Sequence, residues 1–574
     1  MLCGLIRRIH KNMPQLMQKK LVFYFLIILA HWAHAGTLAE GKQGAVASRS
    51  ALASQVGVAI MQQGGNAIDA AVAVGFALAV TYPSAGNLGG GGFMLIHTPE
   101  GVQALDFRET APASATPDMF LDAQGQVIAN SSVTTPLSSG VPGSVAGLLA
   151  AWEKYGTLPR AQIMAPAIKL AEQGFNLPAD IAEQIAGHYD EFRRYPGSFK
   201  SFSHDGKPYK AGELWQQPEL AGTLKLIAAK GRDGFYKGIT ADRLVAEVKR
   251  GHGKISHADL ESYQVIWRSP IRGHYRGFDI WGMPPPSSGG VLIVQMLNML
   301  EPLNLANPQA SRSENIHAMI EAERRAYADR SEHLGDADFY PVPINQLISK
   351  TYAKKRFADF NPAKASDSEK IAAGILWSQE SHETTHYSVM DKYGNAVAVT
   401  TTLNLDYGNK IMVEGAGFLL NNEMDDFAIK PGYANSFGLI GSKANAIAPR
   451  KRMLSSMSPT IVTFNGSPML VTGSPGGSTI ITTTLQVLLN VLDYHQSLDK
   501  AVAAPRVHHQ WQPNKIFYEA GALNEQELLD LKNKHHTGLT LNPVPIGDAN
   551  SVIKATSGFT AASDPRNLGG AAAF

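Results

Sequence analysis

Alternating apolar and polar positions predict a pair of β-strands between residues 384 and 404. Tyr387, Val389, Val397 and Val399 recur at the two-residue spacing of a half-buried strand. Residues 392–395 lie between the two runs and contain the glycine and asparagine that hairpin turns prefer. The pattern therefore predicts a β-hairpin.

The position of the turn decides which residues meet at the open end of this hairpin. A two-residue turn at Tyr393 and Gly394 would place Thr384 opposite Leu403 and beside Thr402. A one-residue bulge would place Thr402 directly across from Thr384. In both cases the two threonine hydroxyls can come within reach of each other.

Residues 48–80 predict two helical stretches that are broken at Gly64 and Gly65. The second, residues 66–80, consists mainly of alanine and valine and has no charge after Asp69. A helix that is apolar on nearly every face is buried, and this one is too short to cross a membrane. We expect it to pack against a sheet.

The other strong patterns are a glycine run and two helices. Residues 89–92 are four glycines ahead of a strand at residues 94–97, and no Gly-Lys-Ser/Thr follows them, so a close backbone approach is favoured over a nucleotide loop. Residues 281–290 predict a rigid turn with a packing role. Residues 314–330 predict an amphipathic helix with one solvated face, and residues 478–489 predict a further helix.

Residues 1–35 have the pattern of a secretory signal. Five basic residues precede the apolar run of residues 21–30, and Ala33 and Ala35 offer small residues at the cleavage positions. The alternative is a retained membrane anchor, although the apolar run is short for a stable span. Cleavage predicts Gly36 as the first mature residue and a periplasmic or secreted bacterial protein.

Charge and cysteine content exclude several functions. The 51 basic and 49 acidic residues give a net charge of +2, and loss of the leader leaves −3. No basic run offers a surface for nucleic acid. The single cysteine, Cys3, lies in the leader, so the mature chain has no disulfide, cysteine nucleophile or cysteine metal site. No linker marks a domain boundary, and we expect one intertwined unit.

Thr384 is a candidate nucleophile. A cut before it would release an α-amino group with a pKa near about 8, which can accept the proton of the residue's own hydroxyl. Residues 361–383 are polar and poorly periodic, which suits a tether ahead of a cut but also an ordinary surface loop. Because threonine is common in strands for its β-propensity alone, the hypothesis depends on the flanking motifs.

Four segments, in the same order along the chain, resemble the motifs of the γ-glutamyltranspeptidases. They are Thr384–Ser388, Asn421–Asp426, Leu454–Pro459 and Gly473–Ser478. Members of that family are N-terminal-nucleophile hydrolases, each made as a precursor that cuts itself into two subunits. The resemblance implies an α+β fold, a four-layered αββα sandwich, with a cut between Glu383 and Thr384. The large subunit would be residues 36–383 and the small subunit residues 384–574.

The resemblance also implies catalytic roles. Thr384 would form the acyl-enzyme, and Thr402 would orient its oxygen. Gly476 and Gly477 would direct two backbone amides at the oxyanion, beside a helix N-terminus that favours negative charge. Arg108 would hold the α-carboxylate of the glutamyl group through its planar guanidinium. Sequence alone leaves open a salt bridge from Arg108 to Asp106 or Glu109.

Five further residues would recognise the amino-acid end of the substrate. The implied acceptors for its α-ammonium are Asn404, Glu423 and Asp426, and the implied donors to its α-carboxylate are Ser455 and Ser456. Turn capping and loop polarity are the alternatives for residues 425–426 and 455–456. The family often has glutamine at position 423 and tyrosine at position 437. In the lid-like segment 430–438, Phe437 can close the site only by packing.

Histidines do not point to a metal or cofactor. Adjacent histidines diverge on a strand or a helix, so His508–His509 and His535–His536 are poor paired ligands. We expect His386 to be packed or hydrogen-bonded. No cofactor is predicted, because the base is built into the nucleophile.

The predicted reaction is transfer of a γ-glutamyl group from glutathione or a related compound to water, an amino acid or a peptide. One alternative is an acylase that removes glutaryl-type side chains from β-lactam compounds, whose substrates lack the α-ammonium. The other is an unprocessed precursor that acts as a binding protein.

Overall fold

Two seven-stranded antiparallel sheets form the centre of the computed structural model, which describes residues 38–372, 384–430 and 432–574. The first sheet has the strand order Gly570–Ala573, Gly44–Ser48, Thr385–Asp391, Ala396–Thr402, Gly91–Thr98, Gly101–Phe107 and Ile266–Arg268. The second has the order Leu38–Gly41, Gly558–Ala562, Ser551–Ala555, Ser467–Thr472, Thr460–Phe464, Phe278–Gly282 and Ile271–Tyr275.

Helices cover the outer face of each sheet. Those on the first sheet include Ala51–Gln62, Ala67–Thr81, Ser144–Tyr155, Arg160–Gln173, Ala179–Gly187, Pro218–Lys230 and Gly238–Arg250. Those on the second include Gly289–Leu300, Arg312–His333, Lys350–Arg356, Thr479–Leu492, Leu498–Ala503 and Glu525–Asn533. Shorter helices are Ser131–Thr134, Tyr189–Phe192, Pro196–Phe202, Asp233–Tyr236, His257–Ser262 and Ile344–Leu347. Small peripheral sheets contain Phe175–Asn176 and Leu214–Trp215, Ser203–His204 and Lys207–Pro208, and Val507–His508, Ile516–Tyr518 and Leu539–Leu541.

Strand alternation separates the hydrophobic core into layers. Val46 packs into the cluster beneath the first helical layer, whereas Ala45 and Ala47 belong to the cluster between the sheets. A third cluster joins the second sheet to its helices and includes Val462 and Leu470. Three clusters between four layers confirm the predicted αββα sandwich.

The predicted buried helix is the Ala67–Thr81 helix, and every one of its residues is buried. The Asn66 side chain caps its first turn, and the Asp69 carboxylate accepts a hydrogen bond from the Asn66 backbone N–H. The glycine run also behaves as predicted. A Cβ on Gly90 would lie 2.0 Å from the Thr402 carbonyl oxygen, and one on Gly92 would lie 2.4 Å from that of Thr400.

Of the two turns left open for the hairpin, the structure has the longer one. Met390 pairs with Ala396, and Gly394 takes a left-handed φ of +87° in the intervening loop, so the register shifts by one residue. Thr385 therefore pairs with Thr401. Extended by one residue, this register would place Thr384 opposite Thr402, which is the arrangement that a bulge was expected to give.

The solvated face predicted for residues 314–330 is also wrong. The Arg312–His333 helix is buried along nearly its whole length. Its charged side chains pair inside the protein, as when Glu321 accepts hydrogen bonds from Arg324 and Arg325. Among the described residues, no helix is long and apolar enough to cross a membrane.

Candidate active site

One pocket collects nearly all the described residues that the sequence singled out. Its lining consists of Arg108, Thr384, Thr402, Asn404, Glu423, Asp426, Phe437, Leu439, Ser455, Ser456, Met457, Gly477 and Ile480. Gly476 directly precedes a lining residue. Glu383, the other half of the expected cleavage site, lies outside the described residues. Segments from both halves of the chain thus meet at Thr384.

The hairpin positions the two threonines at the end of the first sheet. Thr384 directly precedes the Thr385–Asp391 strand, and Thr402 ends the partner strand. The Asn404 backbone N–H donates to the Thr402 Oγ at 2.7 Å. Because this oxygen already accepts a hydrogen bond, the Thr402 hydroxyl hydrogen can be donated toward Thr384.

A glycine turn lies at the start of the Thr479–Leu492 helix. Gly476 and Gly477 have φ values of +128° and +54°, conformations that favour glycine. A Cβ on Gly477 would lie 2.2 Å from the Phe437 ring. Two amides at a helix N-terminus, with no side chains beside them, suit the stabilisation of an oxyanion.

Arg108 is held by two acidic side chains across the pocket. Its Nη1 donates to Glu423 Oε1, and its Nη2 donates to Asp426 Oδ2 at 2.5 Å. Of the two salt bridges left open from sequence, the one to Glu109 is present as a longer contact of 3.7 Å, whereas the Asp106 carboxylate pairs with Arg268 and Arg452. The ion pairs leave Arg108 fully buried with its charge compensated.

Burial and charge crowding set the protonation of this cluster. Burial raises the pKa of Asp426 to about 6 and that of Glu109 to about 7, although Arg108 opposes both shifts. Burial also raises the pKa of Glu423 well above its usual value, and the Glu109 carboxylate adds to the rise. Asp426 and Glu109 therefore titrate near neutral pH.

Several buried acceptors beside Arg108 have no hydrogen-bond partner among residues 38–372, 384–430 and 432–574. They include Asn404 Oδ1, Glu423 Oε2 and both carboxylate oxygens of Glu109. Such groups are costly unless something donates to them. A cationic donor such as an α-ammonium would match the two pocket-lining acceptors, Asn404 and Glu423.

The serine pair is fixed by the turn at residues 281–290, which the sequence assigned only to packing. Ser455 N–H donates to the Pro286 carbonyl at 2.8 Å. Ser288 returns two bonds to the Ser455 carbonyl, from its N–H at 2.8 Å and its hydroxyl at 2.7 Å. The turn therefore supports the site directly.

The lid-like segment covers the pocket through both packing and hydrogen bonds. Phe437 is 4% exposed and lies against Gly477. Asn435 Nδ2 donates to Asp426 Oδ1 at 2.8 Å, and the Ser436 N–H donates to Asp425 Oδ2 at 2.9 Å. The segment is thus tied to the acidic side of the site.

His386 is a hydrogen-bonded core residue, as expected. Its two ring nitrogens lie 2.9 Å from Thr400 Oγ and 3.0 Å from Ser388 Oγ. Burial lowers its pKa to about 3, so it is neutral. We therefore do not assign His386 as a base for Thr384.

One trio of potential metal ligands occurs within the described residues: His317, Glu321 and His536. His535 is exposed and His536 is buried, so the adjacent pair diverges. Both Glu321 oxygens already accept from arginine side chains, Arg324 and Arg325. Two guanidinium groups would repel a cation, and we assign the trio to a buried hydrogen-bond network.

A larger cavity, of about 380 Å³, lies elsewhere and contains none of the predicted site residues. Its two arginines are already paired, Arg312 with Glu527 and Arg506 with Asp564. The smaller pocket at Thr384 therefore remains the candidate site.

Comparison with known proteins agrees with this geometry. The family described as Gamma-glutamyltranspeptidase matches residues 53–574. The chain belongs to this family. It is 48% identical to a glutathione hydrolase proenzyme of Escherichia coli over 533 residues, covering 92% of this chain and 91% of the relative. It is 46% identical to the glutathione hydrolase proenzyme of Pseudomonas aeruginosa, covering 92% of this chain and 94% of the relative.

Two solved structures extend the comparison. A cephalosporin acylase of Bacillus halodurans has a TM-score of 0.82 at 26% identity and covers 94% of this chain and 97% of its own. The γ-glutamyltranspeptidase of Helicobacter pylori has a TM-score of 0.55 at 47% identity and covers 56% of this chain and 93% of its own. The fold is thus shared with an acylase, whereas sequence identity to the γ-glutamyltranspeptidase is higher than to that acylase.

Sequence reasoning missed two charged residues near the pocket. Glu109 was considered only as a salt-bridge partner, yet it forms a third carboxylate in the Arg108 cluster. Arg330 was placed on a solvated helix, yet it reaches the hydroxyl of Ser456. Position next to the family's arginine was a signal for Glu109. No local pattern singled out Arg330.

Proposed function

We propose that this γ-glutamyltranspeptidase-family enzyme cuts itself between Glu383 and Thr384 and then acts as a glutathione hydrolase and γ-glutamyltransferase. The observation that carries the proposal is a buried pocket in which Arg108, two carboxylates and unpartnered acceptors surround Thr384. The γ-glutamyl group ends in a carboxylate and an ammonium. The pocket offers partners of both signs.

Self-cleavage begins with Thr384 Oγ. The oxygen attacks the Glu383 carbonyl carbon, the peptide C–N bond breaks, and an ester forms while the Thr384 nitrogen takes up a proton. Water then hydrolyses the ester, which leaves a carboxylate on Glu383 and a free α-amine on Thr384. Two observations support this step: the relatives are named proenzymes, and the H. pylori chain corresponds to only 56% of this chain.

In the mature enzyme the Thr384 amine accepts the proton of its own hydroxyl as Oγ attacks the γ-carbonyl of the donor. Negative charge on the tetrahedral oxygen is stabilised by the Gly476 and Gly477 amides, and Thr402 orients the nucleophile. The leaving amine, cysteinylglycine for glutathione, departs with the proton. Water, an amino acid or a peptide then takes the γ-glutamyl group from Thr384.

Substrate recognition exchanges one set of ion pairs for another. The α-carboxylate of the donor binds Arg108 and the hydroxyls of Ser455 and Ser456. The α-ammonium binds Asp426, Glu423 and Asn404. A glutaryl donor would occupy Arg108 but leave the two carboxylates buried without a cation, which is costly. This charge balance favours γ-glutamyl donors over the acylase alternative.

The leader and location complete the proposal. Residues 1–35 direct export and are removed, and the enzyme acts in the periplasm or outside the cell as a pair formed from residues 36–383 and 384–574. The acceptor is a free amino acid or a short peptide, and no metal or organic cofactor takes part.

N-terminal sequencing of the purified protein tests processing. We expect two termini, at Gly36 and Thr384, and two bands on a denaturing gel. Thr384→Ala should give one uncut chain without activity, whereas Thr385→Val, one residue further along the same strand, should still be cut. A wild-type chain that consumes glutathione without a terminus at Thr384 would refute the proposed nucleophile.

A further inference from the structure

Arg330 is a buried cation that no acidic side chain neutralises directly. It lies in the last turn of the Arg312–His333 helix and is 4% exposed. Among the described residues, no carboxylate is within 4.0 Å of its guanidinium. Burial lowers its pKa to about 10, so it remains charged at neutral pH. The Asp426 carboxylate opposes this shift from a greater distance, but a buried cation without a direct ion pair is costly and calls for an explanation.

Both recorded hydrogen bonds of the Arg330 side chain lead to the serine pair. Its Nη2 donates to Ser456 Oγ at 3.1 Å, and its Nε donates to Ser288 Oγ at 3.0 Å. The Ser288 hydroxyl in turn donates to the Ser455 carbonyl at 2.7 Å. The Arg330 guanidinium thus contacts the Ser456 hydroxyl directly and the Ser455 carbonyl through Ser288.

The direction of the Ser456 hydroxyl follows from this contact. A guanidinium can only donate, so Ser456 Oγ accepts and its own hydrogen points away from Arg330. Ser456 lines the pocket together with Arg108. A hydroxyl hydrogen directed into that pocket suits a carboxylate there.

We propose that Arg330 is a positioning residue for the carboxylate end of the donor: it orients the Ser456 hydroxyl and adds positive charge behind it. The proposal rests on the γ-glutamyl function given above and deepens it. Arg108 would contact the α-carboxylate directly, and Arg330 would act through Ser456. Arg330 has no direct ion pair among the described residues, and the anionic end of the donor adds a second negative charge near it, beside that of Asp426.

The test compares two donors that differ only in the α-carboxylate. These are γ-glutamyl p-nitroanilide and 4-aminobutyryl p-nitroanilide. For Arg330→Met we expect kcat/KM for the first donor to fall at least about tenfold, mainly through KM. The reason is that the charged guanidinium no longer donates its hydrogen bond to Ser456, so the Ser456 hydroxyl is no longer oriented toward the α-carboxylate. The second donor should lose much less, so the ratio between the donors falls. Equal losses for both donors would make Arg330 merely structural and overturn the proposal.

Two further variants keep the test decisive. Arg330→Lys retains the charge but cannot reach both Ser288 and Ser456, and it should lower the donor ratio even if Arg330→Met fails to fold; an unchanged ratio overturns the proposal. Arg312→Met removes a half-exposed arginine from the same helix and should leave the ratio unchanged. Self-cleavage and thermal midpoint are measured for every variant.

A double-mutant cycle separates action through Ser456 from any other route. Ser456→Ala should abolish most of the further effect of Arg330→Met on the γ-glutamyl donor, whereas fully additive losses would contradict the proposal. The proposed function fails in a different way. If the wild-type chain carries no terminus at Thr384 and does not use γ-glutamyl p-nitroanilide, the function is wrong whatever the variants do.

Discussion

Individual side chains predict that this pocket discriminates between donors by their charge. Arg108 is compensated by Glu423 and Asp426, so the buried site tolerates all three groups together. A donor with both an anionic and a cationic end can replace these contacts without leaving any group unpaired. A donor with one charged end cannot.

Removal of the guanidinium is the direct test at this scale. Arg108→Ala should raise KM for γ-glutamyl donors about 100-fold, because two charge-assisted hydrogen bonds to the α-carboxylate are lost. Self-cleavage should continue, since the proposed cleavage chemistry does not use Arg108. Steady-state kinetics and a denaturing gel measure the two effects. Arg272→Ala, which removes an exposed arginine from the second sheet, is the matched control and should change neither. An unaltered KM in Arg108→Ala would leave Arg108 with a structural role only.

The acidic cluster predicts how donor binding depends on pH. Asp426 and Glu109 have pKa values of about 6 and 7, so the cluster gains protons as pH falls through this range. Protonated carboxyls attract the α-ammonium less, and KM should therefore rise on the acid side.

The Glu109 charge raises the pKa of Glu423. Glu109→Gln should consequently lower the pKa of Glu423 and move the acid limb of kcat/KM to lower pH. Glu100→Gln, at an exposed position, should leave the limb in place. A limb that moves to higher pH in Glu109→Gln would contradict this account of the cluster.

At the level of elements, the lid-like segment covers the pocket through the ring of Phe437 and through hydrogen bonds. Phe437 packs on Gly477 and lines the pocket, while Asn435 and Ser436 tie the segment to Asp426 and Asp425. Phe437→Ala should raise KM for the donor several-fold and increase hydrolysis relative to transfer, because water reaches the acyl-enzyme more easily. Product analysis with and without an acceptor amino acid measures the partition. Tyr433→Ala, at an exposed position of the same segment, should have little effect. If both variants gave the same ratio of hydrolysis to transfer, Phe437 would have no role in closing the site.

The elements also show what sequence could and could not predict. The Ala67–Thr81 helix was predictable because uniform apolarity has one physical outcome, burial. The hairpin register was not, because a left-handed Gly394 fits both a two-residue and a longer turn. The burial of the Arg312–His333 helix was not predicted, because charged residues that form internal ion pairs give the same sequence pattern as charged residues that face water. The pocket residues were predictable through motifs, whereas Arg330 reaches the pocket only through tertiary packing.

The whole molecule is built so that the two halves of the chain cannot form separate domains. In the first sheet, the Thr385–Asp391 strand pairs with Gly44–Ser48, and Ala396–Thr402 pairs with Gly91–Thr98. In the second sheet, Thr460–Phe464 pairs with Phe278–Gly282. Each sheet contains strands from both sides of the proposed cut, paired directly with one another. Cleavage would therefore remove a covalent bond without removing an interface.

This interleaving predicts that the cut pair stays together. Tyr387, Val389, Val397 and Val399 of the hairpin are fully buried against residues from the other half, and each contributes about 1.5–3 kcal/mol. The processed protein should elute from gel filtration at the same volume as uncut Thr384→Ala and unfold in one transition. Residues 384–574 should be released only in denaturant. Free small subunit in native buffer would mean that the sheets do not hold the halves together. The site would then need another means of keeping Arg108, from one piece, beside Thr384, from the other.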